Sequence, residues 1–345
     1  MNIPDKWLDA AYEPTLTVQQ IDPHNLDIIR AELDGVTSIS MTDGYYSDTQ
    51  ISASISTIAD NYIGGSWLRC LIDNEPVFTL GVQGIRYNQA PESAEEKSYS
   101  LQSVIWMLSS DIAYNLYTIK KGSTGKGVMQ TIAKLVGKTL MFDPGCKDYT
   151  YSNAKAFERT DSYASILNSI CNSCGNMLTA DGYGRLYVVP YITPANKGVT
   201  WTLDADDTHG IILDPGYEDS DSSGDAYNKT VVIATNSDKK TIIGTSEVSS
   251  SSLISPTYRG WSRINVHQES EMSPFTQARA NTLAKVYAPD DQSRGFSRNC
   301  TCLYWPVKSG DIIEWIQNGS KKKYLAQTID ADFQNWTVKL TLKEV

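Results

Sequence analysis

Residues 156–190 read AFERTDSYASILNSICNSCGNMLTADGYGRLYVVP. After Asp161, the side chains of Tyr163, Ile166, Leu167, Ile170, Cys171 and Cys174 recur at helical spacing and form one apolar stripe. Gly175 follows, where a left-handed residue closes a helix. Asp181-Gly182 then marks a tight turn into a strand that includes Leu186. Upstream, Val128, Ile132, Leu135 and Val136 make a second stripe ending at Gly137. Residues 111–182 are therefore read as a small α-containing unit set inside a chain of another character.

Outward on both sides the period changes from helical to two. VTSISMT and QISASIS alternate, with Ile39 and Met41, then Ile51, Ala53 and Ile55, on one face. WLRCLIDNEPVFTLGV holds two apolar arms around Asp73-Asn74-Glu75-Pro76, a hairpin signal. SYSLQSVIWMLSS reads as strand or short helix. Past residue 183, RLYVVPYI and NKTVVIAT resume the strands. DPGYEDSDSSGD and SEVSSSSLISPT, within 215–260, read as Ser/Asp/Gly-rich loops. MSPFTQARANTLAKVYA reads as a helix capped by Ser273 with Pro274 in its first turn, and Phe275, Ala278, Leu283 and Val286 as its apolar positions. The chain closes on GDIIEWIQ, a loop NGSKKK, YLAQTIDAD and WTVKLTLKEV, where Trp336, Val338, Leu340 and Leu342 alternate. The fold class is mainly β with α insertions (α+β). Its parts are 1–110, 111–182 and 183–345, the last with a loop-rich and helical insertion at about 215–290.

With 345 residues, 41% hydrophobic and 20% charged, the chain is long enough for two or three domains. The formal net charge is −10 and no basic cluster exceeds Lys321-Lys322-Lys323, which argues against a duplex-reading surface. The first residues carry no secretory signal, and no apolar run approaches the ~18 residues of a membrane span. The six cysteines are expected as reduced thiols.

Candidate chemistry is sparse. KKGSTGKGVM, residues 120–129, looks like a phosphate loop, but Gly127 stands where a Walker motif needs a hydroxyl, and Lys120 precedes Gly125 where it needs glycine. A flexible turn with Ser123 or Thr124 capping a helix near Lys126 is expected instead. Cys171-x-x-Cys174 and Cys300-x-Cys302 have the form of zinc half-sites, but the first pair lies on an apolar stripe and closes its helix, so core thiols are expected. His24, His209 and His267 lack metal-pair spacing. LDADDTHG and TADGYGRLY are acidic without the spacing of a calcium loop. Trp305, Trp315 and Trp336 fit strand alternation and are expected in a core or subunit interface. No catalytic, cofactor-binding or metal-binding residue is assigned.

The order of these segments resembles the hub, or baseplate hub, protein of tailed phages and contractile injection machines. The likeness is carried by VTSISMTDGYYSDTQISASIS and GSWLRCLIDNEPVFTLGVQGI, by GSTGKGVMQTIAKLVG, by the 156–190 stretch, and by QARANTLAKVY before PVKSGDIIEWI with its Gly-Asp pair. The Ser/Asp-rich 215–260 region departs from the pattern, and no hydrolase domain is expected after Val345. The resemblance implies two barrel-like tube domains, 1–110 and 183–345, split by the helical insert. It implies a non-catalytic homotrimer forming a pseudo-hexameric ring in the virion, assembled in the host cytoplasm. Its neighbours would be distal tail or tail tube proteins, the tape measure protein and tip, spike or receptor-binding proteins. DNA would pass a negative lumen without specific binding. The rival readings are a tail-associated cell-wall hydrolase or peptidase using His267 or His209 with a Cys or carboxylate pair, and a carbohydrate-binding β-protein.

Overall fold

Two-residue turns fix the strand registers, and they come where short polar residues tolerate positive φ. Asp73 (φ 51°) and Asn74 (φ 67°) join one hairpin; Asn318 (φ 49°) and Gly319 (φ 70°) join another. The computed structural model describes residues 2–9, 12–45, 50–58, 65–88, 96–110, 118–158, 160–206, 211–221, 224, 226–235, 240–252, 254–269, 272–273, 275–291 and 296–345.

The first strand set is β1 (Leu16–Ile21), β2 (Ile29–Glu32), β3 (Val36–Gly44), β4 (Ile51–Thr57), β5 (Trp67–Ile72), β6 (Glu75–Asn88) and β7 (Glu96–Gln102). The insert shares its core with elements on both sides of the expected 111–182, and holds α1 (Val104–Ser110), β8 (Thr118–Ile119), α2 (Gly125–Leu135), β9 (Leu140–Phe142), β10 (Thr150–Tyr151), β11 (Lys155–Ala156), α3 (Tyr163–Cys174), β12 (Asn176–Ala180) and β13 (Leu186–Pro190). The second strand set opens with β14 (Trp201–Asp204) and β15 (Ile212–Asp221). A lobe of β16 (Lys229–Thr235), β17 (Thr241–Glu247), α4 (Pro256–Arg259), β18 (Ile264–Gln268), β19 (Met272–Ser273) and α5 (Gln277–Asp291) interrupts it. It then finishes with β20 (Phe296–Leu303), β21 (Ile312–Gln317), β22 (Ser320–Asp332) and β23 (Thr337–Glu344).

Both strand sets belong to one 13-stranded sheet, ordered β15-β20-β23-β22-β3-β4-β7-β6-β5-β1-β2, with β21 on β22 and β14 parallel to β21. The long β22 joins them: its first half pairs β21, its second half pairs β23 on one side and β3 on the other. One apolar core runs through both sets, from Leu68, Phe78 and Tyr99 to Trp305, Trp315 and Leu340. Burying large side chains stabilises by about 2 kcal/mol each, so this core dominates the fold. The insert has its own core around Met129, Ile166 and Cys171, and the lobe a small one in which Val232, Phe275 and Ala284 pack α5 on its sheet.

Several local readings are corrected by the structure. Of the two stretches read as loops, 214–221 and 246–247 lie in strands, while the described residues of 248–255 form a loop. β15 is held by a contact distant in sequence: buried Arg298 donates to Asp219 at 2.6 and 2.7 Å. SYSLQSVIWMLSS is strand and then helix, β7 and α1. In α2, Val128 and Ile132 are buried as expected, but Leu135 is exposed and Met129 and Ala133 widen the buried side instead. Ser273 lies in β19 rather than capping α5; the Thr276 hydroxyl accepts from the Arg279 N–H instead, and Pro274 lies outside the described residues. Ala278 is exposed, while Ala280, Ala284 and Ala288 are buried. The NGSKKK loop is only the Asn318-Gly319 turn, and Lys321, Lys322 and Lys323 are strand residues of β22.

Candidate functional site

The strand sets meet where β3 lies against β22. Main-chain pairing from Thr328↔Gly44 to Asp332↔Ser40 makes the seam. Asp43, buried at its centre, accepts from the Ser309 N–H (2.9 Å) and hydroxyl (2.6 Å). Burial pushes the Asp43 carboxyl above its ordinary pKa, and the Ser309 bonds only partly offset this. The Gly-Asp pair that precedes β21 closes the seam. Gly310 has φ 85°, and a Cβ there would lie 2.7 Å from the Tyr45 ring. Asp311 accepts from Trp201 Nε1 (2.8 Å) and the Lys308 N–H (2.9 Å). Lys197 donates to the Gly310 carbonyl at 3.1 Å and stands 4.6 Å over the Tyr45 ring. These groups face a cavity of about 650 Å3 between the strand sets and the insert.

A second seam joins the insert to the sheet. The tip of the β12–β13 hairpin lies on β6 so closely that a Cβ on Gly182 would be 2.3 Å from the Pro76 carbonyl oxygen. Gly184, at φ 78°, leaves 2.9 Å to the Thr79 carbonyl. Thr79 donates to the Gly182 carbonyl (2.7 Å) and accepts from Arg69 Nε (2.9 Å). The buried Arg69 also donates to the Leu26 carbonyl (2.6 Å) and stacks over Tyr183. Gln50 takes both sides of the β12 backbone, donating to the Leu178 carbonyl and accepting from the Ala180 N–H.

The large sheet has two unlike faces. The core face carries Ile39, Ile55, Tyr99, Ile329 and Leu340. On the other, cross-strand rows run unbroken across the β22–β3 seam. One is Thr301, Lys339, Asp330, Thr42, Ser52 and Gln102. The next is Thr337, Asp332, Ser40, Ser54, Ser100 and Gly84, flanked at its end by Leu303. A third is Glu218, Asn299, Thr341, Thr328 and Gly44. Ser38, Ser56, Ser98 and Arg86 border them at one side; Ser220, Ser297 and Lys343 do so at the other. Thr42 donates to Asp330 at 2.6 Å, and Ser56 meets Ser98 at 2.7 Å.

The residues singled out in the sequence fall elsewhere and stay apart. The glycine-rich stretch starts α2, with Thr124 capping it. Its N–H groups are taken: Gly125 donates to the Tyr149 carbonyl, Lys126 to the Asp148 carboxylate and Gly127 to Thr124 Oγ1. A phosphate would find those donors occupied. All six cysteines are buried. Burial pushes the thiols of Cys70 and Cys174 up to about 12 and raises Cys171 and Cys146 as well; Cys302 is raised by its contact with Cys300 and by burial. Cys171 abuts Met129 Sδ at 3.5 Å, and Cys300 and Cys302 lie 3.8 Å apart. Among the described residues no group of three or more His, Cys, Asp or Glu is placed to hold a metal ion. Asp206 spends a carboxylate oxygen on the Asn318 N–H, and Asp181 bonds Arg185, so both acidic stretches fix turns. His24 sits in a turn whose N–H groups donate to Asp22. His209 lies outside the described residues. Trp305 and Trp315 are buried in the large core; Trp336 is half-buried against it.

His267 on β18 has a carboxylate partner, Asp291, at 2.9 Å. Asp291 is also held by Thr230 (2.7 Å) and Asn265 (2.7 Å). Desolvation raises its carboxyl, and the three side-chain hydrogen bonds outweigh that and bring it below its ordinary value. The His267 ring stacks on Tyr287, whose hydroxyl donates to Glu269 at 2.7 Å. The cluster ties the end of α5 to β16 and β18, beside a cleft of about 620 Å3 that faces α3. Asp43, Arg69, Arg298 and Asp291 gave no signal in the sequence, because each is defined by a partner far along the chain.

No family model matches the chain, and no curated protein matches it significantly. Solved structures do. A tail protein from Neisseria meningitidis MC58 is similar over 95% of this chain and 96% of its own, at 14% identity and TM-score 0.70. The 43 kDa tail protein of prophage MuSo2 from Shewanella oneidensis is similar over 96% and 98%, at 14% identity and TM-score 0.66. The prophage tail protein gp18 from Listeria monocytogenes EGD-e is similar over 95% and 94%, at 10% identity and TM-score 0.57. The chain thus has the mainly-β, α-inserted fold of these tail proteins, end to end.

Proposed function

We propose that the chain is a structural, non-catalytic hub subunit of a phage tail. Three copies, each with two strand sets, form a pseudo-hexameric ring that joins a six-fold tube to a three-fold tip and borders the passage for DNA. Tube, tape measure and tip or receptor-binding proteins are its neighbours, and the virion is its place of work. The end-to-end likeness to the Neisseria tail protein carries this reading. A second support is geometric: β22 ties both strand sets into one rigid sheet, as a ring segment of fixed angle requires.

A hydrolase would need an activated group, and the buried thiols and Asp291 are committed elsewhere. The thiols with shifted pKa are raised by burial, and the oxygens of Asp291 already accept three side-chain hydrogen bonds. The test pairs native mass measurement of the purified protein with incubation on peptidoglycan. A trimer mass and no soluble fragments are expected. Turnover that disappears in His267→Ala would overturn the reading.

A further inference from the structure

We infer that the cleft between α3 and the lobe binds a neutral saccharide. The inference goes beyond the hub reading and stands without it.

One wall is the outward face of α3. Ser165, Asn168, Ser169 and Asn172 recur at i, i+3, i+4 and i+7 and line the cleft, while Ile166, Leu167 and Ile170 fill the core behind them. This face is unlike an ordinary solvated helix face. Tyr163–Cys174 holds no charged residue, whereas α2 and α5 expose Lys134 and Lys285. Serine and asparagine are poorer helix formers than glutamate, lysine or arginine, so folding alone gives no reason to gather them in one row. Among the described residues, the side chains of Asn168, Ser169 and Asn172 make no hydrogen bond within the chain.

The other wall is independent of that helix. β18 brings His267, Gln268 and Glu269, and α5 brings Tyr287, whose ring stacks on His267 with centroids 4.4 Å apart. Tyr191, just past β13, completes the lining on the insert side. The two walls are tied together by the pairing of β10 with β19 and by Arg279. Its guanidinium lies 3.8 Å over the Tyr149 ring and donates to the Ser173 carbonyl at the end of α3. The cleft is therefore formed before a ligand arrives, and its volume of about 620 Å3 lies in the range of small-ligand sites.

The lining selects the ligand. Amides and hydroxyls offer donors and acceptors side by side, which match the adjacent hydroxyls of a sugar ring. Tyrosine offers an apolar ring with a polar tip, which matches a ring that is C–H on its faces and O–H at its rim. No lysine or arginine lines the cleft among the described residues, so a phosphate or sulfate finds no counter-charge. A protein segment would be anchored by large apolar side chains in apolar pockets, and Val266 is the only aliphatic residue in the described lining. Cleavage of a glycosidic bond takes two carboxyl groups, and Asp291 is already spent on Thr230, Asn265 and His267. The site binds sugar and leaves it intact.

The test titrates the purified full chain with glucose, galactose and N-acetylglucosamine, and with maltose, lactose and chitobiose, read by saturation-transfer NMR. At least one should bind at millimolar concentration, and glucose 6-phosphate and glucuronate should bind more weakly than glucose. Asn168→Ala with Ser169→Ala should weaken binding about tenfold while the urea midpoint holds or rises, since alanine is the better helix former. Gln268→Ala, on the other wall, should weaken binding as well, and Gln130→Ala, on the exposed side of α2, should not. A disaccharide that binds more tightly than its monosaccharide identifies a polysaccharide chain as the source; equal affinity identifies a free sugar. Silence across the neutral sugars overturns the inference, as does preference for the charged ones or undiminished binding by the double alanine variant. In assembled tails, Ser165→Cys should react with a small maleimide, because the chain's own six cysteines are buried and this position is exposed. Protection there means that a tail protein fills the cleft, which overturns the inference and leaves the hub reading standing.

Discussion

The two seams of the molecule are built on different principles. Between the strand sets, β3 and β22 are joined chiefly by main-chain hydrogen bonds, which any strand-forming residues can make. Between insert and sheet, contact depends on particular side chains or their absence: Gly182, Gly184, Thr79, Arg69 and Gln50. A ladder seam tolerates side-chain change and fixes an angle. A seam of close approach makes a lobe separable by a single substitution. In the hub proposed above, this division would keep the wall rigid while an attached lobe is free to diverge.

The largest expected effect is at the second seam. Gly182→Ala drives a Cβ into the Pro76 carbonyl and should cost about 3 kcal/mol, read as a lower urea midpoint. Limited proteolysis should then cut first within 111–182 while the strands persist. Equal loss of both regions would erase the distinction between the seams. Arg69→Met should cost about 2 kcal/mol, because the Leu26 carbonyl loses its charged donor and Thr79 its partner. On the first seam, Gly310→Ala meets a side-chain ring that can shift and strains a positive φ, so about 1 kcal/mol is expected.

Two carboxylates sharpen the comparison through pH. Burial raises Asp43, so its folded form favours the proton. Its contribution is present below the unfolded pKa and is lost as pH rises through the folded value. Asp43→Asn should therefore cost less than about 1 kcal/mol at neutral pH, and the native protein should gain on the variant as pH falls through the range just above ordinary carboxylate titration. Asp291, lowered by its three hydrogen bonds, has the opposite sign. Its contribution is present above the unfolded pKa and is lost as pH falls through the folded value, so Asp291→Asn should weaken the protein most at neutral pH. Paired denaturation series at pH 7 and pH 4 check both signs. The smallest effect belongs to Ser40→Ala, exposed on the polar face, at under about 0.5 kcal/mol.

What the sequence showed follows the same division. The α3 helix, its Gly175 stop, the Asp73-Asn74 hairpin and the alternation of β23 are local patterns, and they were legible. β15 was not, because Asp, Ser and Gly favour loops until buried Arg298, 79 residues away, holds Asp219 in a strand. The cap of α5 was misplaced by three residues because Ser273 is drawn into a short pairing with Thr150. The seams were illegible for the same reason: Ser309 with Asp43, and Gly182 with Thr79, meet only in the folded chain. The polar face was partly visible, since Ser52, Ser54 and Ser56 alternate with apolar neighbours. Its continuation across Asp332, Thr337 and Thr301 required the register of four more strands.

Copy number and position of this chain in an intact tail, obtained together by cryo-electron microscopy, address the ring directly. The account predicts three copies closing one annulus at the distal end of the tube, with no enzyme cleft turned toward the cell wall. Tails that lack the protein, or hold it in any other closed number, would contradict it.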